Sequence, residues 1–230
     1  MLSFPKPNST PVSQPRHRAH SNILTRAKVR RVYRWYAPVY DLVFGRALDA
    51  GRARLANSPA LRRSRRILEV GVGTGRALPL YPRGALVLGL DLSCEMLRHA
   101  QRRIDEQRLA DAHLLCADAE QLPFATACFD CVTVPYVLSV TPNPSALLAE
   151  LRRICIPGGT ILILNHFRGS RGWRWAEDLL RPMAGHIGFD SALDLEATLA
   201  HPDWEIVDVQ SVNLLGLSRL VQLRNAPRVS

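Results

Sequence analysis

The sequence predicts an α/β fold in which a doubly wound, mostly parallel sheet carries helices on both faces. Short, nearly continuous apolar runs, as expected of strands covered on both faces, alternate with segments of helical period. A turn with three alternating glycines, Gly71, Gly73 and Gly75, directly follows the first of these runs. The apolar content of 47% over 230 residues suffices for one compact domain with its own core.

The N-terminal region predicts a helical cap that follows a disordered tail. Residues 1–20 carry repeated Pro and Ser/Thr without a hydrophobic period, which is typical of disorder. Ser21–Tyr36 has helical period, with Ser21 as the candidate N-cap, and Pro38 separates it from a second helix at about Tyr40–Asn57. One half of the first helical wheel carries Leu24, Val29, Val32, Tyr33, Trp35 and Tyr36, and the other carries Arg26, Arg30, Arg31 and Arg34, with Lys28 as the exception.

Strands and helices then alternate along the chain. Strands are predicted at Arg66–Val70, Leu86–Asp91, His113–Ala117, Phe129–Tyr136 and Thr160–Asn165, and the clearest helices at Ser93–Glu106 and Pro144–Cys155. An insertion rich in Trp and Arg, at about 172–202, precedes two late strands, Trp204–Val212 and Leu217–Leu223. We therefore expect a tail at 1–20, cap helices at 21–58 and a sheet domain at 59–226, with its ligand site at the carboxyl ends of the strands.

The net charge of +10 is unevenly distributed. Residues 1–66 contain 15 Lys and Arg residues but only two acids, Asp41 and Asp49, whereas the remainder is slightly acidic. A one-sided positive field favours an anionic partner, either a nucleic acid or a membrane surface. No run approaches the roughly 18 apolar residues of a membrane-spanning helix, and no apolar signal core follows the N-terminal charges. These patterns predict a cytoplasmic protein that is soluble or peripherally bound.

The cysteines do not predict a metal site or a disulfide framework. The five residues, scattered through apolar segments, are Cys94, Cys116, Cys128, Cys131 and Cys155. The C-x-x-C formed by Cys128 and Cys131 has no second Cys or His pair at zinc spacing. We expect ordinary core thiols in a reducing compartment, and no metal.

The glycine turn admits several interpretations. A tight strand-to-helix turn uses glycines without any ligand, whereas a ligand site uses them where the backbone must approach closely. Dinucleotide binding would need a third small residue at position 76, which is Arg76. A triphosphate loop would need Gly-Lys-Ser/Thr after the turn, and this is absent from the sequence.

Three acids favour a ligand without phosphate. Asp91 ends the second predicted strand, where a carboxylate accepts both hydroxyls of a ribose. Asp118 follows the third strand, where it can hydrogen-bond an adenine amino group, and Glu69 precedes the first glycine, near the position of a ligand ammonium. Adenosine joined to an amino acid fits all three acids, which indicates S-adenosylmethionine.

The same segments carry a family resemblance. The motifs "LEVGVGTG", "GLDLS", "DAEQLPF", "FDCV" and "PGGTILI", between Arg66 and Asn165, resemble those of the class I S-adenosylmethionine-dependent methyltransferases. The resemblance implies a Rossmann-like, seven-stranded sheet with one antiparallel strand.

A narrower resemblance covers about Val32 to Arg171. The segments "YRWYAPVYDLVFG", "LEVGVGTGRALPLYP", "VPYVLSVTPNP" and "LNHF" are similar to bacterial phosphatidylethanolamine N-methyltransferases of the soluble, peripheral type. The resemblance implies stepwise methylation of phosphatidylethanolamine towards phosphatidylcholine. It departs at Pro135, where the family has Gln, and it is weak from Gly172 to about Trp204.

The resemblance also completes the predicted cofactor site. It implies that Tyr36, Tyr40 and Asp41 close over the amino-acid end of the cofactor and that Tyr40 bonds the carboxylate; a contact between the first two helices is the alternative. The cofactor-binding residues expected are Tyr40, Glu69, Gly71, Gly73, Gly75, Asp91, Leu92, Asp118, Ala119 and Tyr136.

Methyl transfer to an amine requires a neutral nitrogen, in-line alignment and a place for the positive charge. Tyr136 ends the fourth strand, where its ring can support an ammonium and its hydroxyl can hold the amine. Asn165 and His166 end the fifth strand, and a histidine can take the proton or position the amine. We expect these three residues to be catalytic, although each type also occurs at strand ends in a purely structural role.

The substrate and the charge together indicate a membrane. Arg on one face of Ser21–Tyr36 and aromatic residues on the other are typical of an interfacial helix, which a phospholipid substrate requires at the inner face of the membrane. The helix can instead pack on the domain. A quinone-ring methyltransferase and a non-catalytic cofactor-binding protein are the alternative functions, and no nucleic-acid partner is expected because no cluster of stacking aromatics is visible beyond this helix.

Overall fold

The computed structural model describes residues 45–167, 194–199, 204–213 and 216–226. The predicted tail at 1–20, the predicted helix Ser21–Tyr36, Tyr40 and most of the insertion at 172–202 lie outside these residues. Helices lie at Gly45–Ala56 (α1), Pro59–Arg62 (α2), Cys94–Gln107 (α3), Pro144–Ile154 (α4) and Leu195–Leu199 (α5), with a 3₁₀ turn at Leu78–Leu80. Strands lie at Arg66–Val70 (β1), Leu86–Asp91 (β2), Ala112–Cys116 (β3), Phe129–Pro135 (β4), Cys155–Asn165 (β5), Trp204–Val212 (β6) and Ser218–Asn225 (β7).

The strands form one seven-stranded sheet in the order β3-β2-β1-β4-β5-β7-β6. The first five strands pair in parallel, and β7 pairs antiparallel with both β5 and β6. The predicted doubly wound sheet with one antiparallel strand is therefore confirmed. The chain moves outwards from β1 to β3 and then continues from β4 on the other side of β1, so the strand order reverses between β1 and β4. Crevices at such a point bind ligands.

Both faces of the sheet are buried, as the continuous apolar strands predict. Successive strand side chains point to opposite faces, so Ile67 and Leu68 enter two different hydrophobic clusters, and so do Leu162 and Ile163. All four side chains are fully buried. A rigid double-sided core of this kind fixes the positions of the strand ends, where the site lies. Within the described residues, no helix is long and apolar enough to cross a membrane.

Local sequence signals set most of the boundaries. Ser93 and Asn143 cap α3 and α4 by accepting hydrogen bonds from the backbone N–H groups of Met96 and Ala146. The main difference between the predicted and the observed elements concerns β5. This strand begins five residues before the predicted one because α4 passes directly into it at Cys155. The predicted helix ends at Cys155 and the predicted strand begins at Thr160, whereas the intervening segment "IPGG" belongs to the strand.

The cysteine prediction is wrong for one pair. Cys94, the first residue of α3, and Cys116, the last residue of β3, form a disulfide with a Cα–Cα distance of 5.5 Å. The two cysteines are 22 positions apart in the sequence. The pairing of β2 with β3 brings them together, so their spacing in the sequence did not reveal the disulfide. Cys131 and Cys155 are buried core thiols as predicted, and burial raises the pKa of both.

Candidate functional site

A cavity opens at the carboxyl edge of the sheet, beside the reversal of strand order between β1 and β4. The predicted site residues that line it are Glu69, Gly71, Gly73, Asp91, Leu92, Asp118, Ala119 and Tyr136. Three predicted residues, Gly75, Asn165 and His166, are not among its lining residues, and Tyr40 lies outside the described part of the chain. Four strand ends thus converge on one cavity, as the sequence analysis expected of a cofactor site.

The three glycines of the turn have different roles. All three adopt positive φ angles, between 54° and 76°. A Cβ atom at Gly71 would lie 2.1 Å from Cγ2 of Val137, and one at Gly75 would lie 3.1 Å from the Cα of Ala100 in α3. A Cβ atom at Gly73 would meet nothing within 4 Å. Gly71 and Gly75 are therefore required by packing, whereas Gly73 leaves its backbone open towards the cavity.

Asp91 is held in place by backbone donors. Its Oδ2 accepts a hydrogen bond from the N–H of Gly73 at 2.9 Å, and its Oδ1 accepts one from the N–H of Ser93 at 2.8 Å. Burial raises the pKa of this carboxyl, and these hydrogen bonds oppose the rise. The carboxylate is thus fixed at the end of β2, with one oxygen next to the glycine turn. This is the carboxylate that was predicted to accept hydrogen bonds from a ribose.

Asp118 lies on the turn after β3, where its Oδ1 accepts a hydrogen bond from the N–H of Glu120 at 2.9 Å. Glu120, which the sequence analysis did not select, also lines the cavity. Its Oε1 accepts hydrogen bonds from the hydroxyl of Thr141 and the N–H of Asn143, both at 2.8 Å. This carboxylate ties the turn after β3 to the turn after β4, so two walls of the cavity are held together.

Glu69 is a buried acid with an incomplete set of hydrogen bonds. It is 2% exposed, and its Oε2 has no hydrogen-bond partner among the described residues. Burial raises the pKa of this carboxyl to about 8, against opposing effects of a hydrogen bond from Tyr81 and the charge of Arg52. The hydroxyl of Tyr81 lies 2.8 Å from that of Thr133. A buried carboxyl oxygen that lacks a donor is suited to receive a ligand ammonium.

Helix α1 adds a charged wall that the sequence analysis missed. Arg52 lines the cavity, and its Nη1 donates to Oδ1 of Asp49 at 3.1 Å. The same carboxylate binds Arg76 from the glycine turn, whose Nε lies 3.1 Å away. Burial acts to raise the pKa of Asp49, but the two guanidinium groups hold it below its usual value. The interaction fastens α1 onto the turn that was predicted to hold the cofactor.

Tyr136 follows β4 with a φ angle of +62°, which is rare for a residue with a side chain. Its ring contacts the guanidinium of Arg52 at 5.3 Å and the ring of His166 at 5.3 Å. Its hydroxyl donates to the carbonyl of Leu48 at 3.3 Å and accepts from Nδ2 of Asn213 at 2.9 Å. The hydroxyl is thus occupied within the protein, and the guanidinium of Arg52 already lies over the ring, so a ligand in the cavity would meet Tyr136 next to Arg52.

Asn165 and His166 lie at the end of β5 and are buried. The amide of Asn165 accepts from the hydroxyl of Ser139 at 3.2 Å. The Nδ1 of His166 lies 2.9 Å from the carbonyl of Leu217 and 3.1 Å from the hydroxyl of Ser218. Because a carbonyl can only accept, Nδ1 carries the proton in this contact. Burial lowers the pKa of His166, so the ring is neutral at neutral pH.

The described residues fit S-adenosylmethionine. A buried carboxyl oxygen without a donor suits its ammonium, the open backbone at Gly73 admits close approach, and the carboxyl groups of Asp91 and Asp118 line the same cavity, where they can accept hydrogen bonds from an adenosine. Nothing in this donor set calls for a metal, and no cluster of metal-ligating side chains occurs among the residues that the structure describes.

Comparison with known proteins adds independent findings. A family profile described as "Methyltransferase domain" matches residues 68–163. A phosphatidylethanolamine N-methyltransferase of Cereibacter sphaeroides is 36% identical over 191 residues, which cover 82% of this chain and 93% of that protein. The ubiquinone/menaquinone biosynthesis C-methyltransferase UbiE of Burkholderia vietnamiensis is 32% identical over 161 residues, which cover 66% and 65%. The solved structure of an S-adenosylmethionine-dependent methyltransferase from Thermotoga maritima shares the fold, with a TM-score of 0.67, 20% identity and coverage of 85% of this chain and 99% of that one.

Proposed function

The chain belongs to the class I S-adenosylmethionine-dependent methyltransferases, and we propose that its methyl acceptor is the amine of phosphatidylethanolamine or of its mono- and dimethyl derivatives. The observation that carries the proposal is the strength of the match. The phosphatidylethanolamine N-methyltransferase is 36% identical over 93% of its length, whereas the UbiE C-methyltransferases of Burkholderia vietnamiensis and Pseudomonas putida are 32% and 29% identical over 65% and 77% of theirs. Both the identity and the share of the relative that is matched are thus higher for the N-methyltransferase.

In this proposal the strand ends hold the cofactor. Glu69 receives the ammonium, Asp91 the ribose hydroxyls and Asp118 the adenine amino group. When bound, S-adenosylmethionine supplies an electrophilic methyl group on a sulfonium. The residues of the chain orient the two reactants and exclude water, which accounts for much of the rate enhancement in a displacement of this kind.

The acceptor side of the proposal depends on Tyr136. Tyr136 lines the cavity, and in this proposal its ring supports the positive charge that develops on the nitrogen. His166 packs against that ring, and because it is neutral it adds no repelling charge. We therefore assign His166 and Asn165 to the positioning of Tyr136 and of the strand end, and in this case the amine loses its proton to solvent. The alternative is that the amine loses its proton to His166.

Replacement of His166 by Asn separates these two roles. If His166 only positions Tyr136, the replacement lowers kcat and leaves the shape of the pH–rate profile unchanged. A role as the proton acceptor removes the limb of the profile that rises through the lowered pKa of His166, below 6.5. In either case the affinity for S-adenosylhomocysteine stays within about threefold, since His166 does not line the cavity; a larger loss would give the residue a structural role in the cofactor site.

Access to a lipid head group requires contact with a membrane surface. We propose that the basic amphipathic segment Ser21–Tyr36 provides it, because its arginines and aromatic residues occupy opposite halves of a helical wheel. Each basic residue near an anionic bilayer contributes about 1 kcal/mol, so a few arginines with Trp35 suffice for reversible binding at the inner face of the membrane.

The substrate is tested with vesicles and cofactor labelled on the methyl group. Vesicles contain phosphatidylethanolamine, its monomethyl form or its dimethyl form, and vesicles of pure phosphatidylcholine serve as the control because they offer no amine for methylation. We expect label in at least one of the three amine lipids. Cofactor binding with no labelled lipid in any vesicle would overturn the proposal.

A second acceptor is favoured by the UbiE relatives, of which one is 32% identical to this chain. The same vesicles, loaded with a demethylated quinol in place of the amine lipid, test it directly. Label in the quinol alone would assign this chain to ring C-methylation. A non-catalytic role would leave both acceptors unlabelled.

A further inference from the structure

The disulfide between Cys94 and Cys116 lies beside the part of the cavity that contains Asp91 and Asp118. Cys94 is the first residue of α3 and directly follows Ser93, which lines the cavity. Cys116 is the last residue of β3 and stands two positions before Asp118, which also lines the cavity. The bond therefore joins two segments that each continue into the cavity wall.

The disulfide supports a strand that is paired on one side only. Among the described residues, β3 is an edge strand of the sheet and pairs with β2 alone. At the end of this pair Cys116 lies opposite Asp91, and the N–H of Ala117 donates to the carbonyl of Asp91 at 3.1 Å. The disulfide adds a covalent link between β3 and α3 to these hydrogen bonds. Because the hydrogen bonds remain when the disulfide is reduced, we expect reduction to loosen β3 and the turn at Asp118 without unfolding the sheet.

The two cysteines of the disulfide are exposed, whereas Cys131 and Cys155 are buried in the core. A thiol in solution can reach an exposed disulfide, and exposed disulfides are more easily reduced than protected ones. In the reducing compartment that the sequence predicts, disulfides are usually transient or redox-sensing. Accessibility and position together therefore favour a reversible bond over a permanent cross-link.

We propose that the Cys94–Cys116 disulfide is a redox switch of the cofactor site and that a low-molecular-weight thiol opens it. The thiolate of a first thiol attacks one sulfur, which breaks the S–S bond and releases the other sulfur as a thiolate that takes up a proton. A second thiol attacks the mixed disulfide at the sulfur of the first thiol, so the products are two cysteine thiols and the disulfide of the reductant.

The switch acts through the order of the cavity wall. In the oxidised protein the disulfide holds the strand end that precedes Asp118. In the reduced protein the cofactor must order this strand end when it binds, which costs affinity. The switch depends on the cofactor, which the family establishes, and not on the methyl acceptor. Binding is therefore measured without lipid, and failure of the lipid assay leaves the proposal unaffected.

Thiol counting tests whether the bond is reversible. The full chain is equilibrated in its native state with reduced and oxidised glutathione in varied ratio, quenched with acid and denatured, and its thiols are alkylated and counted by mass. We expect three thiols in oxidising buffer, those of Cys128, Cys131 and Cys155, and five in reducing buffer. The same midpoint should be reached from either side. Three thiols in every buffer, or five in every buffer, would overturn the proposal.

Calorimetry with S-adenosylhomocysteine tests the effect on the cofactor site. We expect the reduced wild-type protein to bind about 3- to 10-fold more weakly than the oxidised protein, and to recover on reoxidation. Equal affinities would show that the bond does not control the site. Circular dichroism of the reduced protein accompanies the titration, and loss of the folded state would make the bond a structural cross-link, which also contradicts a switch.

A double variant with Cys94→Ser and Cys116→Ser assigns the effect to this pair. Because it cannot form the bond, it should bind S-adenosylhomocysteine as weakly as the reduced wild-type protein in every buffer. The matched control is Cys128→Ser, which removes a half-buried free thiol and should keep the full redox response. A response that persists in the double variant would assign it to another thiol and overturn the proposal. If the double variant does not fold, the two states of the wild-type protein still decide the question.

Discussion

At the scale of single residues, Glu69 is expected to couple cofactor binding to pH. The carboxyl is buried, and its pKa of about 8 keeps it mostly protonated at pH 7. A ligand ammonium beside it favours the carboxylate and lowers this pKa. Binding at pH 7 therefore releases close to one proton, and affinity rises by about tenfold between pH 6 and pH 7. Titration of S-adenosylhomocysteine in buffers of different ionisation enthalpy measures the number of protons released.

Glu69→Gln is the control for this proton release, since an amide of nearly the same shape does not titrate. The variant binds more weakly, releases no proton and shows no rise in affinity between pH 6 and pH 7. Asp91 also has a raised pKa, so a release that persists in Glu69→Gln would assign the proton to Asp91 and contradict the role of Glu69.

Gly71 and Gly73 are expected to fail in different ways when a methyl group is added. Gly71→Ala places Cβ 2.1 Å from Val137, which lowers the free energy of unfolding by about 2–4 kcal/mol. Gly73→Ala meets no atom within 4 Å, so it costs about 1–2 kcal/mol for its positive φ but reduces cofactor affinity by about tenfold or more. Chemical denaturation and calorimetry measure the two effects.

Gly84→Ala is the matched control for Gly73→Ala. Gly84 has a φ of 77°, a Cβ there would also meet no atom within 4 Å, and the residue is not among those that line the cavity. The two variants should lose similar stability, and only Gly73→Ala should lose affinity. Equal affinity in both would show that the backbone at Gly73 does not approach the cofactor.

Single residues also show what sequence patterns reveal. Glu69, Asp91 and Asp118 were selected because each stands at the end of an apolar run, and parallel strands bring their ends to one edge. Arg52 and Glu120 do not end an apolar run, and their places depend on contacts between distant parts of the chain. Asp49, the partner of Arg52, also binds Arg76, 27 positions away, and Glu120 accepts from Thr141, 21 positions away. Contacts of this kind depend on packing and leave no period in the sequence.

At the scale of elements, Asn213 connects α1, β4 and β5 with the turn between β6 and β7. Its Oδ1 accepts from the N–H of Gly51 at 2.6 Å, and its Nδ2 donates to the hydroxyls of Tyr136 at 2.9 Å and Ser218 at 2.7 Å. Ser218 in turn contacts His166. Asn213 thus contacts Tyr136 directly and His166 through Ser218, and it belongs to a turn that the sequence analysis did not consider.

Asn213→Gly removes this amide and keeps the left-handed backbone, which has a φ of 66°. We expect a loss of about 2 kcal/mol in the free energy of unfolding, since partly buried partners lose their hydrogen bonds. We also expect a clear fall in kcat, because Tyr136 is no longer held, with cofactor affinity changed by less than about threefold. Steady-state kinetics and calorimetry separate the two quantities.

Gln210→Ala provides the comparison, because Gln210 makes a different contact between β6 and α1, with Nε of Arg54 at 2.7 Å. It should leave kcat unchanged. A similar fall in kcat in both variants would attribute the effect to the docking of α1 and not to Asn213.

The bounds of helices and strands could be predicted where they depend on neighbouring residues, and not where they depend on contacts between distant parts of the chain. The bounds of β1, β2 and β6 agree with the sequence prediction, since apolar runs end there at turn residues or charges. The four-residue helix α2 is too short to show a period, and the first half of β5 contains two glycines and a proline, which normally interrupt strands. There the pairing of Cys155 with Phe129 on β4 overrides the local preference.

At the scale of the whole molecule, the two edges of the sheet differ in function. The cavity lies at the carboxyl edge, whereas the opposite edge, where β1 begins, carries the exposed arginines Arg62, Arg63, Arg65 and Arg66. A membrane-bound enzyme must turn the cavity, and not this opposite edge, towards the lipid head groups. The positive charge of residues 1–66 therefore comprises two groups with different expected roles, one in Ser21–Tyr36 and one at the start of the sheet.

Charge reversal separates these two groups. Changing Arg30, Arg31 and Arg34 to Glu should weaken binding to vesicles with anionic lipid by about 100-fold or more, because each basic residue contributes about 1 kcal/mol near the surface. The same change at Arg62, Arg63 and Arg65 alters the net charge equally but should weaken binding only slightly, since the proposed orientation turns that edge away from the lipid. Cosedimentation at low and physiological salt measures the binding of both variants, and binding of the wild-type protein should fall as salt screens the surface.

The control for folding is the affinity for S-adenosylhomocysteine. It should stay unchanged in both variants, which excludes misfolding. Equal losses of binding in both variants would mean that the overall charge of the protein, and not Ser21–Tyr36, causes its attraction to the membrane. Unchanged binding in the first variant would mean that Ser21–Tyr36 does not contact the membrane.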